Sequence, residues 1–334
     1  MSRALYPAIC LDTDLTPDAV GDEINEYSTA IHEACKGWGT DEKGLIKALA
    51  CRNGEERVKI AMSYEQMFEK ELNEVMNSEV GGDLGTALEF LAYPPHKAEA
   101  AMLKMACRGL GTNEDMVYPI ICGRTNEEID LLKKTYFDMY GDDLGRVLDG
   151  ELGGDFEQLI TNCLQGIEQD FDPEFHTKDK VQEDVESLYD AGQGSFGTDE
   201  AALFKFLCTA PPEHLKAVNL AYAEEYGFTL SKACEQELKR DSEKAAVFLI
   251  GMKLKPEETV AKLIQKACAG MGTDELLLTS TLIRYQSMLP GVDAAHQEEY
   301  GKSIKERVVS EARGKYETLL VEVVKCGLGE TDEE

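Results

Sequence analysis

The chain has 334 residues, 64 of them acidic against 34 basic, for a net charge of −30. That balance excludes nucleic acid as a partner, because phosphate contacts depend on Lys and Arg. It also excludes adhesion to an anionic membrane by charge alone, since the two surfaces repel. A hydrophobic content of 43% is enough for a buried core. The longest apolar run, residues 245–250, is far below the roughly 18 residues of a spanning helix. Arg3 and Pro7 make the N-terminus a poor signal peptide, so a soluble, cytosolic chain is expected. The ten cysteines form no CxxC pair, and several recur at matched positions, as small buried thiols would.

In chain order, residues 1–22 form a short tail. The next segment, 23–92, carries apolar residues at helical spacing throughout. Ile24, Tyr27, Ile31 and Ala34 mark a first helix, and Leu45, Ile46, Ala48 and Leu49 a second. Three more follow over 58–67, 72–76 and 84–91, the last two parted by Gly81-Gly82-Asp83. Pro94-Pro95 opens a second segment, 95–166, which repeats the plan with helices over 98–105, 116–121, 129–139, 144–148 and 156–164. An acidic connector, 167–180, contains Pro173. Third and fourth segments cover 181–253 and 256–328, and an acidic tail covers 329–334. No strand alternation is visible, so the prediction is an all-α fold of four repeats, each of five short helices.

One pattern recurs between the first two helices of every repeat. Gly37-Trp38-Gly39-Thr40-Asp41-Glu42, Gly109-Leu110-Gly111-Thr112-Asn113-Glu114, Ser195-Phe196-Gly197-Thr198-Asp199-Glu200 and Gly270-Met271-Gly272-Thr273-Asp274-Glu275 each run a small-residue turn into an acidic helix start. Their second glycines lie 72, 86 and 75 residues apart. Thr40, Thr112, Thr198 and Thr273 suit the N-cap position. Glu79, Glu151 and Glu237 follow Gly39, Gly111 and Gly197 by 40 residues, and Glu311 follows Gly272 by 39.

A turn and a carboxylate that recur together point to one oxygen-lined site built four times. A hard cation such as Ca²⁺ accepts carbonyl and carboxylate oxygens alike, and glycine admits the backbone angles that aim carbonyls at one point. In the first repeat the proposed donors are the carbonyls of Cys35, Gly37 and Gly39, with Glu79 brought alongside on a loop. The matched sets are Cys107, Gly109, Gly111 and Glu151, then Cys268, Gly270, Gly272 and Glu311. A single carboxylate leaves such an ion under-coordinated and still cationic, free to bridge to a lipid phosphate. Lipid and calcium then strengthen each other's binding. Trp38, Leu110, Phe196 and Met271 stand between the paired small residues. They either pack each loop onto its own helices or enter the membrane at headgroup level. Lys36 and Arg108 flank two loops, where they would meet phosphate or simply water.

These features resemble the annexins. The K-G-x-G-T-D-E loop reads here as residues 36–42, with close variants at 108–114 and 270–275, and the paired acid as Ser78-Glu79, Glu151 and Ser310-Glu311. The resemblance covers roughly 23–328. It implies a slightly curved disc of four five-helix repeats that attaches reversibly, through Ca²⁺, to an acidic phospholipid membrane surface. Cytoplasmic residence, with peripheral membrane association when calcium rises, goes with it, as does possible cytoskeletal association or self-association on membranes. The third loop resembles an extended annexin variant, with Gly192, Ser195 and Gly197 as the implied donors beside Glu237. Lys239-Arg240 there replace the glycine-rich turn, and Ala210 stands where Arg52, Arg124 and Arg284 match the family arginine. The sites rank with repeats one and two first, four next and three last. No enzyme is expected, because the five histidines do not recur between repeats or form a metal-binding motif. The competing reading is an annexin-fold scaffold for membrane or cytoskeleton with little calcium dependence.

Overall fold

A computed structural model of the chain describes residues 2–12, 16, 20–37, 39–109, 111–192, 199–270 and 272–330. Among them lie twenty α-helices and no strand. The chain divides into two compact units.

One unit comprises Leu5–Met102 and the chain from Val260 onward. It holds α1 (Asp22–Ala34), α2 (Glu42–Leu49), α3 (Gly54–Phe68), α4 (Leu72–Glu79) and α5 (Gly82–Ala92). Its later part holds α17 (Glu275–Arg284), α18 (Leu289–Tyr300), α19 (Ile304–Glu311) and α20 (Gly314–Leu328). The apolar stripe read from the sequence is the buried one: Ile31, Leu45 and Leu49 are fully enclosed with Leu88, Phe90, Leu282, Leu319 and Val323. Burying each such side chain stabilises by about 1.5–3 kcal/mol. α5 packs against α2, α4, α17 and α20, so the core forms around it. Arg284 donates from Nε to Glu99 at 2.8 Å, both side chains almost wholly buried, and the Tyr6 hydroxyl donates to the same carboxylate.

The other unit comprises the N-terminal residues to Ala4 and Leu103–Thr259. It contains α7 (Glu114–Ile121), α8 (Asn126–Tyr140), α9 (Leu144–Glu151), α10 (Gly154–Leu164), α11 (Lys178–Ala191), α12 (Glu200–Thr209), α13 (Pro212–Tyr226), α14 (Leu230–Glu237) and α15 (Arg240–Leu254). The remaining helices, α6 (Pro95–Ala106) and α16 (Pro256–Ala267), run across the division in sequence. Leu159, Ile160, Phe204, Leu207 and Val218 are fully buried where α10, α12, α13 and α15 meet.

Two expectations change at this level. α11 begins at Lys178, inside the expected connector, because Thr177 caps it through Oγ1 to the Lys180 amide. The connector is also held by Glu168, whose carboxylate meets the buried Lys253 ammonium at 2.8 Å. That ammonium donates to the carbonyls of Leu207 and Ala210 as well. A cation therefore reaches the third repeat's position that lacks the matched arginine, supplied by α15 instead. Of the ten cysteines, expected to be buried, Cys122, Cys208, Cys234 and Cys268 are, while the other six are only partly so.

The turn between the fourth and fifth helices is left-handed in each repeat. Gly82, Gly154 and Gly314 take φ of 68°, 62° and 64°, and Arg240 takes 55° at the matching place. An L-residue there costs about 1–2 kcal/mol, which outweighs the extra chain entropy glycine loses on folding, about 0.5–1 kcal/mol. An arginine at a helix N-terminus also opposes the helix dipole. Arg240→Gly should therefore stabilise the fold by about 0.5–1 kcal/mol. Thermal and denaturant unfolding measure it, and a lowered midpoint would show that the arginine makes a compensating contact.

Candidate calcium loops

Each repeat's loop is closed by one backbone hydrogen bond. The amide of Asp41 donates to Ala34 at 2.8 Å, Asn113 to Ala106 at 2.9 Å, and Asp274 to Ala267 at 2.8 Å. Asp199 donates to Ala191 at 2.6 Å, which encloses one residue more, so the third loop is longer, as its sequence implies. Inside the three equal loops the glycines repeat one conformation. Gly37, Gly109 and Gly270 have φ of 101°, 103° and 109°, and Gly39, Gly111 and Gly272 have 92°, 92° and 108°. At all six, the space a Cβ would fill is open. Sterics would allow a side chain, so it is the left-handed backbone that selects glycine.

Thr40, Thr112 and Thr273 do not cap the helices that follow them, contrary to expectation. Asp41, Asp199 and Asp274 do so, accepting from the amides of Gly44, Ala202 and Leu277 at 2.9–3.1 Å. Aspartate sits one residue nearer the helix, and its carboxylate meets the exposed amides directly. The threonine hydroxyls are directed instead at the distant glutamates. Thr40 donates to Glu79 Oε2 at 2.6 Å, Thr112 to Glu151 Oε2 at 3.1 Å, and Thr273 to Glu311 Oε2 at 3.0 Å. Sequence reasoning missed this role. The signal available was a threonine after the second glycine in every copy, read there as a local cap.

Glu79, expected on a loop, is instead the last residue of α4, and Glu151, Glu237 and Glu311 likewise end α9, α14 and α19. The broken turn after each helix frees the carboxylate to face the neighbouring loop. Glu79 and Glu151 are exposed. Glu311 is half-buried and also accepts from Arg307 Nη1 at 3.3 Å, which offsets part of its charge. In the third repeat, a Cβ on Gly192 would lie 3.6 Å from Glu237 Cγ, so this donor and acid are adjacent. Ser195, Gly197 and Thr198 lie outside the described residues, as do Trp38, Leu110, Phe196 and Met271. Lys36 is paired with Glu33.

In the first, second and fourth repeats the loop cysteine lies under the influence of the paired glutamate. Burial and then Glu79 push the Cys35 thiol up to about 11. Burial and Glu151 do the same to Cys107, and burial and Glu311 to Cys268, again to about 11. The structure thus brings together loop and acid in the first, second and fourth repeats.

The donor set suits a hard cation held mainly by carbonyls. Among the described residues, no group of three or more His, Cys, Asp or Glu side chains could hold a metal. What remains is a pair of left-handed glycines beside one held carboxylate, which fits Ca²⁺, whose ligands include backbone carbonyls, better than Zn²⁺. No helix of the described residues is long and apolar enough to cross a membrane.

A four-fold repeated helical unit with a glycine loop and a paired acid defines a class of calcium-dependent membrane-binding proteins, and sequence comparison agrees. The annexin family profile matches residues 27–91, 98–162, 183–249 and 259–323. Human annexin A13 is 34% identical over 303 residues, covering 90% of this chain and 95% of that protein. Mouse annexin A13 is 33% identical over 302 residues, with the same coverage. Annexin III shares the fold with a TM-score of 0.83 and 25% identity over 97% of both chains. Chicken annexin V gives 0.80 and 25%, over 97% and 99%. The chain belongs to the annexin family, whose members in general bind phospholipid membranes in a calcium-dependent way and are not enzymes.

The thiols report loop geometry without any metal. Only the thiolate is alkylated, so labelling of Cys35 should be slow near pH 7.5 and rise about tenfold per pH unit to pH 10. Glu79→Gln removes one of the two causes of the raised pKa. In chelator at pH 8.5, peptide-resolved iodoacetamide labelling of Cys35 should then be roughly two- to fivefold faster. An unchanged rate would mean that Glu79 does not face the loop.

Proposed function

We propose that this annexin attaches reversibly to acidic phospholipid membranes through calcium held at its interhelical loops. The observation that carries the reading is the one loop conformation met three times, each with a hydroxyl-held carboxylate beside it. In the first repeat the carbonyls of Cys35, Gly37 and Gly39 would hold the ion with Glu79. Cys107, Gly109, Gly111 and Glu151 would do so in the second, and Cys268, Gly270, Gly272 and Glu311 in the fourth. Gly192, Ser195, Gly197 and Glu237 would form the third site. When bound, calcium supplies a positive charge that one carboxylate leaves uncompensated, and a lipid phosphate completes its shell. That charge is what a chain of net −30 needs to approach an anionic surface. The protein would therefore reside in the cytoplasm and reach membranes only when calcium rises.

We rank repeats one and two first, since Glu79 and Glu151 are exposed and meet no cationic side chain among the described residues. We rank the fourth site behind them because Arg307 already offsets part of the Glu311 charge. The third ranks last in this reading, for its longer loop and for Arg240 in place of a glycine.

Glu79→Gln with Glu151→Gln preserves shape and removes the charge. Half-maximal sedimentation with phosphatidylserine vesicles should then need roughly tenfold more calcium, because affinity follows ligand charge. The same requirement in variant and parent would overturn the ranking. Equal sedimentation in calcium and in chelator would instead favour a calcium-independent scaffold. Trp38, the one tryptophan of the chain, tests the loop tip separately. Its emission should shift to the blue only with calcium and vesicles together, as an indole at headgroup level does.

A further inference from the structure

The structure carries a basic groove whose lining includes none of the proposed calcium donors. It lies between α2 and α20, within one compact unit, and has a volume of about 720 Å³. That size is typical of small-molecule sites, which run from roughly 300 to 1,000 Å³. Five of its twelve lining residues are basic, Lys43, Lys47, Arg52, Lys315 and Lys325, against two acids, Glu322 and Glu330. In a chain where acids outnumber bases 64 to 34, this is a local reversal of sign.

The pairing inside the groove sharpens it. Glu322 is already met by Lys325 at 2.8 Å, and Glu330 by Lys305 at 3.2 Å. Lys315 is paired with Glu42. Lys43 and Lys47, one turn apart on α2, are exposed, and neither reaches a carboxylate among the described residues. Arg52 makes a telling contrast with its matched counterparts. Arg124 and Arg284 are buried against Glu128 and Glu99. Arg52 keeps only a long approach of 3.7 Å to Glu56, while its guanidinium lies over the Tyr27 ring and its Nε donates to the Ala48 carbonyl at 3.2 Å. Two uncompensated ammoniums and a positioned guanidinium thus face one concavity.

We propose that this groove binds a compact polyphosphorylated ligand of the inositol phosphate type, independently of calcium. Ammonium groups serve as point charges for phosphate, and arginine adds a planar fork. Compactness follows from the rest of the surface: a long polyanion leaves the groove and meets a chain of net −30. The described lining offers no aromatic ring for a base to stack on, so a nucleotide gains nothing from its base. The same phosphate chemistry reaches the protein either free in solution or as a phosphoinositide headgroup.

The test is calorimetric titration of the full chain with inositol hexakisphosphate in chelator, with Lys43→Gln/Lys47→Gln as the variant. The parent should bind one equivalent, and the variant roughly tenfold or more weakly, since hydrogen bonds to charged groups are lost. Retained calcium-dependent sedimentation of the variant with phosphatidylserine vesicles shows that it is folded and separates this proposal from the calcium loops. Sedimentation of the parent in chelator with phosphatidylcholine vesicles containing a polyphosphoinositide identifies the headgroup as a source. Binding of the soluble phosphate alone assigns the groove to a free ligand. No heat from the parent, or equal affinity in the variant, overturns the proposal.

Discussion

The molecule depends on a conformational constraint: two glycines in each of three loops must sit near φ +100°, within a loop closed by one amide–carbonyl bond. No L-residue adopts that backbone cheaply. The closing bond fixes how many residues stand between the first helix and the second. The second helix then starts under its aspartate cap, and the fourth ends at a glutamate beside the loop. The repeats are variations on this unit, and their differences are differences in how well it is met.

Charge is used in two ways. Within each unit, acids are buried against bases: Glu99 with Arg284 in one, Glu128 with Arg124 and Glu168 with Lys253 in the other. Removing one partner of such a pair is costly, because the other remains buried and charged. This is why Lys253 at Ala210 matters, since the third repeat keeps a cation where it has lost its arginine. On the surface the excess of acid goes largely unanswered. The basic groove along α2 and α20 therefore stands out by contrast.

Most of the helix plan was legible because five apolar stripes per repeat must find one core, and the loops were legible because glycine is constrained. Residues 116–121 and 156–164 were read nearly as they fold, for that reason. What was not legible were long-range contacts between polar groups. The Thr40 hydroxyl has a plausible partner nearby in every helix cap, so its bond to Glu79 across 39 residues gives no local signal. The position of Glu79 at the end of α4 depends on where a helix stops, which the Gly81-Gly82 break locates only to within a residue or two. Lys253 was invisible for the same reason, being 43 residues from the carbonyl it serves. The groove was invisible too, since Lys47 and Lys325 are distant in sequence and meet only through packing.

The hydroxyl–carboxylate bond has a consequence in entropy. A glutamate at a helix end has three rotatable bonds, and immobilising it costs up to about 2 kcal/mol. Thr40, Thr112 and Thr273 restrain their glutamates as the chain folds, so much of that freedom is gone before any ion arrives. Threonine does this better than serine, because its branched Cβ is itself stiff about χ1. A serine in its place would keep the bond and loosen the carboxylate it holds.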